Sequence, residues 1–325
     1  MALLEVNSLS IDYRTSRGVI HAVEDISFSM GKNDMLGLAG ESGSGKSTLG
    51  LSLLRLVPYP GVIADGQIMI GGRNILSLSE EEMRRLRGKD VAYIFQDPMT
   101  SLNPVKRIGA HFVELITNHE PSTKKVHAIE RAKKILDSLG IQSERLNDYP
   151  HQFSGGMRQR IMIGLAIALN PILVVADEPT TALDVIVQAK ILDLLESLQK
   201  SYGLAVILIS HDLSIILERC SSIVVMYAGH MVEYASSKEL YRSPLHPYTQ
   251  GLLKSIPNIE LEDQKLSSIP GSPPDMLTLP KGCRFRTRCS RAGEKCQSKA
   301  PALIEVGNKH FVRCHEYVEE GVRNE

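Results

Sequence analysis

A chain of 325 residues with 43% hydrophobic content can bury one large core or two smaller ones, which excludes wholesale disorder. Its 37 Lys and Arg cancel its 37 Asp and Glu, so bulk charge excludes a protein whose whole surface binds nucleic acid or membrane; partners have to be argued from local features. In MALLEVNSLSIDYR an acid, Glu5, and no basic run precedes any apolar stretch, so no secretory leader is expected. The most apolar segment, GLAIALNPILVVA, is broken by Asn170 and Pro171, short of the roughly 18 residues of a spanning helix, and a soluble cytosolic chain is the expectation.

Taken in chain order, VIHAVEDISFSM at 19–30 partly alternates apolar and polar positions, the pattern of a half-buried strand. MLGLA at 35–39 is a continuous apolar run leading into a Gly-rich turn. SEEEMRRLRG at 79–88 is predicted to be a short helix, with Ser79 as N-cap, Glu82 closing a capping box and Gly88 as the stop. Buried-strand runs recur at VAYIF, ILVVA, LAVILIS and SIVVMY. Between them Leu183, Val187, Ile191, Leu194, Leu195 and Leu198 mark one face of a helix. Strands alternating with helices predict an α/β fold with a parallel sheet covered on both faces. Residues 107–170 instead read as mostly helical, an insertion in that body. Five prolines in 257–280 suit an extended connector, and a cysteine-rich segment follows in its own small module.

Gly40-Glu41-Ser42-Gly43-Ser44-Gly45-Lys46-Ser47 has the G-x-x-x-x-G-K-S spacing and stands between an apolar strand and a helix, the context of a phosphate-binding loop. Glycines let backbone N–H groups turn inward around phosphates, and a helix N-terminus adds its dipole. Lys46 would reach the β and γ oxygens and the Ser47 hydroxyl would ligate magnesium, with Thr48 next in the helix. ILVVA ends in Asp177 and Glu178. Charge at the tip of an apolar strand is costly unless it faces a metal or a reacting group. Asp177 would then orient the magnesium shell and Glu178 would polarise the attacking water. Phe153-Ser154-Gly155-Gly156-Met157-Arg158-Gln159 has the form of an N-cap followed by unshielded amides, a second anion site.

Two phosphate-facing helix starts in one chain resemble the ATP-binding-cassette ATPases, over about residues 1–235. Ser154-Gly155-Gly156 is similar to their signature motif, with Phe153 for Leu and Met157 for Gln. Gln96 in FQDP resembles the Q-loop, which also reaches magnesium; Thr181-Ala182-Leu183-Asp184 resembles the D-loop and Ser210-His211-Asp212 the switch histidine. Tyr13 resembles the aromatic that stacks on adenine. Taken singly, His211 also fits a surface histidine, and Tyr13 ordinary strand packing. The resemblance implies a P-loop NTPase (RecA-like) core with an antiparallel β subdomain and a helical subdomain inserted at about 97–165. It makes Glu178, His211 and Gln96 the catalytic residues. It assigns ATP and Mg2+ to 40–48, Tyr13 and Asp177, and the signature residues and Asp184 to ATP held across a dimer. A kinase built on the same loop would leave the signature and Gln96 unexplained.

FQDPMTSLNP, FSGGMRQR, DEPTTALDV, LYRSPLHPYTQGLL and IPGSPP narrow the resemblance to the ATPases of the dipeptide, oligopeptide and nickel importers, and carry it through 236–280 and 281–325. This branch implies a peripheral subunit on the cytoplasmic face of the membrane, powering import of peptides, oligosaccharides or nickel. Its implied partners are a paralogous ATPase in a heterodimer, or a second copy, two membrane-spanning permease subunits and, indirectly, an extracytoplasmic solute-binding protein, with no nucleic acid. The alternative, a soluble cassette protein acting on nucleic acid or ribosomes, is expected to carry long coiled-coil insertions or tandem cassettes, which the sequence lacks. The branch also implies a 4Fe-4S cluster on Cys283, Cys289, Cys296 and Cys314. The residues themselves, spaced C-x5-C-x6-C-x17-C without a C-x2-C knuckle, leave iron–sulfur, zinc and free thiols or a disulfide open. Arg284, Arg286, Arg288, Arg291 and Lys295 are expected to offset the charge of four thiolates. The cluster is expected to be structural, so that Cys289→Ser loosens the tail and leaves the Lys46 chemistry largely intact. Cys220 is expected to be a buried thiol.

Overall fold

The computed structural model describes residues 2–97, 101–181, 183–256, 268–307 and 309–321. Pro98, Met99 and Thr100 of FQDPMTSLNP, Ala182 of TALD and 257–267 of the connector lie outside the described residues. The chain forms two compact units. One comprises Met1–Met30, Met35–Leu76 and Leu208–Glu325, the other Gly31–Asp34 and Ser77–Ile207.

In the first unit the strands Gly18–Met30, Leu4–Thr15, Gly61–Ile70 and Arg73–Asn74 lie side by side in that order in an antiparallel sheet. Leu4, Val6, Leu9 and Ile11 are all buried, so the two-residue alternation slips by one position. The slip occurs at Ser8, where the register shifts and φ is positive, so an extra residue at this bulge turns the next apolar pair back to the core. The wholly buried strand Met35–Ala39 pairs parallel with Ser222–Tyr227, which pairs antiparallel with His230–Ser236. The short tail strands Phe311–Val312 and Ile304–Glu305 extend this row antiparallel. The cysteine-rich segment is therefore fastened to the unit. Arg313 donates to the Met231 carbonyl at 3.2 Å and the Asp25 carboxylate at 3.1 Å. The fully buried Glu233 accepts from the Leu245 and His246 N–H groups at 2.7 and 2.9 Å and lies 2.7 Å from His310 Nε2.

In the second unit Val91–Ile94 and Leu173–Asp177 pair parallel, and every residue of the latter is buried, as a continuous apolar run requires. The described part of 107–170 holds the helices Ile108–His119, Lys125–Ser138 and Gly155–Ile167 and no strand. They bury Phe112, Ile116, Ala132, Ile135 and Leu136. Gly164 permits the approach, since a Cβ there would stand 2.6 Å from Leu139 Cδ1. The helix Glu80–Leu86 has the expected capping box at Ser79, and Gly88 follows its end with φ +82°. The helix Val185–Tyr202 buries Ile191, Leu195 and Leu198 as expected. Leu183 precedes it, because Asp184 takes the N-cap, and Leu192 joins the buried stripe. Parallel strands alternating with helices make the α/β class that the sequence predicts. Cys220 is buried, and burial pushes its thiol far above the usual range.

Candidate functional site

The phosphate loop is built by steric exclusion. Gly40 has φ +147°, and a Cβ on it would stand 2.2 Å from the Met226 carbonyl oxygen. Gly45, with φ +101°, would meet the Ala22 carbonyl at the same 2.2 Å. Only glycine lets the chain turn between these two backbones, whereas Gly43, with φ +77°, faces open space. The helix Lys46–Ser52 starts at Gly45 without a side-chain cap, which leaves first-turn N–H groups for an anion. Lys46 is buried and its Nζ donates to the carbonyls of Gly40 at 2.7 Å and Glu41 at 2.8 Å. The ammonium is thus held inside the turn, beside the exposed Ser42 and Ser47 and the buried Ser44. Tyr13 Oη lies 3.4 Å from Thr48 Oγ1, which sets the aromatic beside the loop. Two contacts were not foreseen: the Glu41 N–H donates to Tyr248 Oη at 2.9 Å, and Arg288 donates to both Glu41 carboxylate oxygens, at 2.6 and 3.0 Å.

In the second unit Asp177 ends its strand buried and accepts from Tyr93 Oη at 2.7 Å. Burial, reinforced by that carboxylate, pushes the Tyr93 phenol far above its ordinary value, so it stays a donor. Glu178 follows with φ +43°, a left-handed backbone uncommon outside glycine. Gln96 Nε2 and Thr181 Oγ1 both donate to its Oε2, at 3.1 and 3.0 Å. The structure therefore brings Gln96 and Glu178 together. Ser154 caps the helix Gly155–Ile167 by accepting from the Met157 N–H at 3.4 Å. A Cβ on Gly156 would stand 2.7 Å from Val187 Cγ1, on the helix that Asp184 caps through the Val187 N–H at 2.9 Å. His211 is exposed, directly after the strand Ala205–Ser210 of the chain.

Cys283, Cys289, Cys296 and Cys314 all line one cavity of about 400 Å3, and none forms a disulfide. Burial raises the thiols of Cys283, Cys289 and Cys314, the last to about 11. Their sulfurs accept backbone N–H bonds from Phe285 and Arg286, from Arg291 and from Glu316 respectively, which act the other way and favour thiolate. Among the described residues no three His, Cys, Asp or Glu side chains meet as a site for a single metal ion. Arg286, Arg291 and Lys295 line the cavity, Arg291 pairing with Glu316 at 3.0 Å and donating to Gln250 Oε1 at 2.6 Å, and the buried Arg286 Nη1 has no hydrogen-bond partner among the described residues. Arg284 and Arg288 correct the expectation, because they are spent elsewhere. Arg284 bonds Glu24 and the Ala228 carbonyl, and Arg288 bonds Glu41. Between them Phe285 packs against Tyr227, Tyr248 and His246, with ring centroids 5.1, 5.4 and 5.7 Å away. Cys283, Phe285, Arg286 and Cys289 line the cavity, while Arg284 and Arg288 turn into the body of the unit.

Residues 23–181 match the ABC transporter family, and residues 232–296 match the C-terminal region of oligopeptide/dipeptide transporters. The chain is 43% identical to the oligopeptide transport ATP-binding protein OppD of Bacillus subtilis over 315 residues, 96% of this chain and 88% of that one. It is 42% identical to the dipeptide transport ATP-binding protein DppD of Escherichia coli, over 97% of each chain. In fold it is similar to the dimeric ATP-binding cassette MJ0796 bound to ADP and Pi, with TM-score 0.64 at 24% identity, over 72% of this chain and 98% of that one.

Proposed function

The chain is an ABC-type ATPase of the oligopeptide and dipeptide transport ATP-binding proteins, and from that premise we propose that it hydrolyses ATP to drive peptide import through separate membrane-spanning subunits. The observation that carries this is the extent of the likeness, 42–43% identity through the tail as well as the cassette. No helix among the described residues is long and apolar enough to cross a membrane; in this reading the pathway belongs to partner chains, and the subunit sits against their cytoplasmic face.

In this reading Lys46 leaves its two carbonyl partners for the β and γ oxygens, and first-turn N–H groups take the remaining phosphate charge. When Mg2+ accompanies ATP, Ser47, Gln96 and Asp177 would hold it, neutralising phosphate charge, and Tyr13 would stack on adenine. Glu178 accepts the proton of the attacking water, oriented by Gln96 and Thr181. Ser154, Gly155, Gly156 and Asp184 act across a dimer, on ATP held by the phosphate loop of a paralogous partner, and His211 senses the γ-phosphate. A cavity of about 540 Å3 lined by Arg107, Ala110, Val113, Lys125 and Ile129 offers the groove for a short permease helix. A solute-binding protein delivers the peptide from outside.

The four cysteines are proposed to hold a 4Fe-4S cluster. A shared cavity, N–H groups aimed at three sulfurs and a buried Arg286 Nη1 without a partner among the described residues fit a bulky anionic group better than a compact single ion. The cluster ties the tail together when bound. Anaerobically purified protein should carry about four iron per chain; stoichiometric zinc without iron overturns the assignment. For transport, the chain is co-reconstituted with its permease subunits and binding protein. Peptide should stimulate ATP hydrolysis and enter the vesicles. Turnover indifferent to peptide overturns the import reading.

A further inference from the structure

Glu41 is the joint between the nucleotide loop and the tail. Its carbonyl holds Lys46 Nζ at 2.8 Å, while its carboxylate is gripped by both terminal nitrogens of Arg288 and its N–H is taken by the fully buried Tyr248. Arg288 is itself fixed. Its side chain is 4% exposed, its Nε donates to the Pro270 carbonyl at 2.9 Å, and its guanidinium lies 5.7 Å from the Tyr227 ring centre. A two-pronged arginine–carboxylate pair fixes orientation as well as distance, and here it is largely shielded from water. The loop residue that presents the lysine is thus positioned by a side chain 247 residues further along the chain.

We propose that Arg288 is a positioning residue for nucleotide binding, holding the phosphate loop through Glu41 so that affinity for the ATP phosphates depends on the seating of the C-terminal segment. Arg288 immediately precedes Cys289. A tail that loosens carries Arg288 away, and nucleotide affinity falls with it, in contrast to the expectation that Cys289→Ser spares the Lys46 chemistry. By linkage, bound nucleotide in turn holds the tail in place.

The test is equilibrium titration of the full chain with Mg-ADP, alongside steady-state ATP turnover. Arg288→Met and Glu41→Gln should each weaken Mg-ADP by about tenfold, the scale of one lost charge-assisted pair. The ATP KM should rise in parallel in both, while kcat of Arg288→Met at saturating ATP changes less than about threefold. The double variant should bind no worse than either single one, because both remove the same contact. Arg288→Lys should recover part of the loss. Should Arg288→Met release the tail to protease, Glu41→Gln decides, since it leaves Arg288 bonded to Pro270 and Phe285 packed. Glu41→Gln binding Mg-ADP as the wild type does overturns the proposal, and so do single losses that multiply in the double variant.

Discussion

Glu178→Gln removes a proton acceptor and leaves a side chain of the same size where two donors converge. Gln96 Nε2 and Thr181 Oγ1 both aim at Glu178 Oε2, at 3.1 and 3.0 Å. A glutamine can place its carbonyl oxygen at that point and keep both bonds, with the amide nitrogen taking the position of Oε1. The geometry of the loop therefore survives, and what is lost is the charge and the basicity. A positioned general base contributes about 10²- to 10⁴-fold, or about 2.7–5.4 kcal/mol of barrier at about 1.36 kcal/mol per decade. Steady-state ATP hydrolysis should fall by that factor while equilibrium binding of Mg-ATP stays within about threefold of wild type. The variant should accumulate as a nucleotide-bound dimer, seen by size-exclusion chromatography with ATP. Turnover within about threefold of wild type would refute the reasoning, because it would reduce Glu178 to an acceptor that glutamine replaces.

Gly45→Ala would place a methyl group 2.2 Å from the Ala22 carbonyl at φ +101°; a misplacement near 1 Å costs about 10²-fold in rate, so ATP turnover should drop about 100-fold, and wild-type turnover would contradict the steric account. Phe285→Ala empties a cluster of three rings and should cost about 3–5 kcal/mol locally. Hydrogen exchange over 283–289 should speed up accordingly, and unchanged protection would show that the rings do not hold the tail. Burial, opposed only in part by Glu233, holds His246 down at about 4, below the ordinary histidine value of 6.5. Its neutral state favours the fold fully above about 6.5, and this contribution is lost as pH falls toward 4, because the unfolded chain binds the proton first. His246 Nδ1 accepts the Tyr248 N–H at 3.0 Å, a cap that asparagine can also supply, so His246→Asn should melt with less pH dependence between pH 7 and 5 than wild type. An equal dependence would place the acid sensitivity elsewhere.

What the sequence determined by itself is local. The capping box at Ser79 and the cap at Ser154 rest on interactions within a few residues, and the buried strands at 35–39 and 173–177 on an apolar run that has nowhere to go but the core. The strand Leu4–Thr15 was less legible because its bulge at Ser8 breaks the alternation that identifies a strand. The start of the helix after Leu183 was misplaced because an apolar residue before a cap mimics the helical stripe. Which charges in GCRFRTRCSRAGEKC face the cysteines is set by packing between distant segments. Composition supplies five cations, but a guanidinium binds the strongest acceptor its backbone can reach, and for Arg284 and Arg288 those acceptors are Glu24 and Glu41, 260 and 247 residues earlier. Such pairings depend on how the strands bring distant segments together, and no spacing along the chain encodes them.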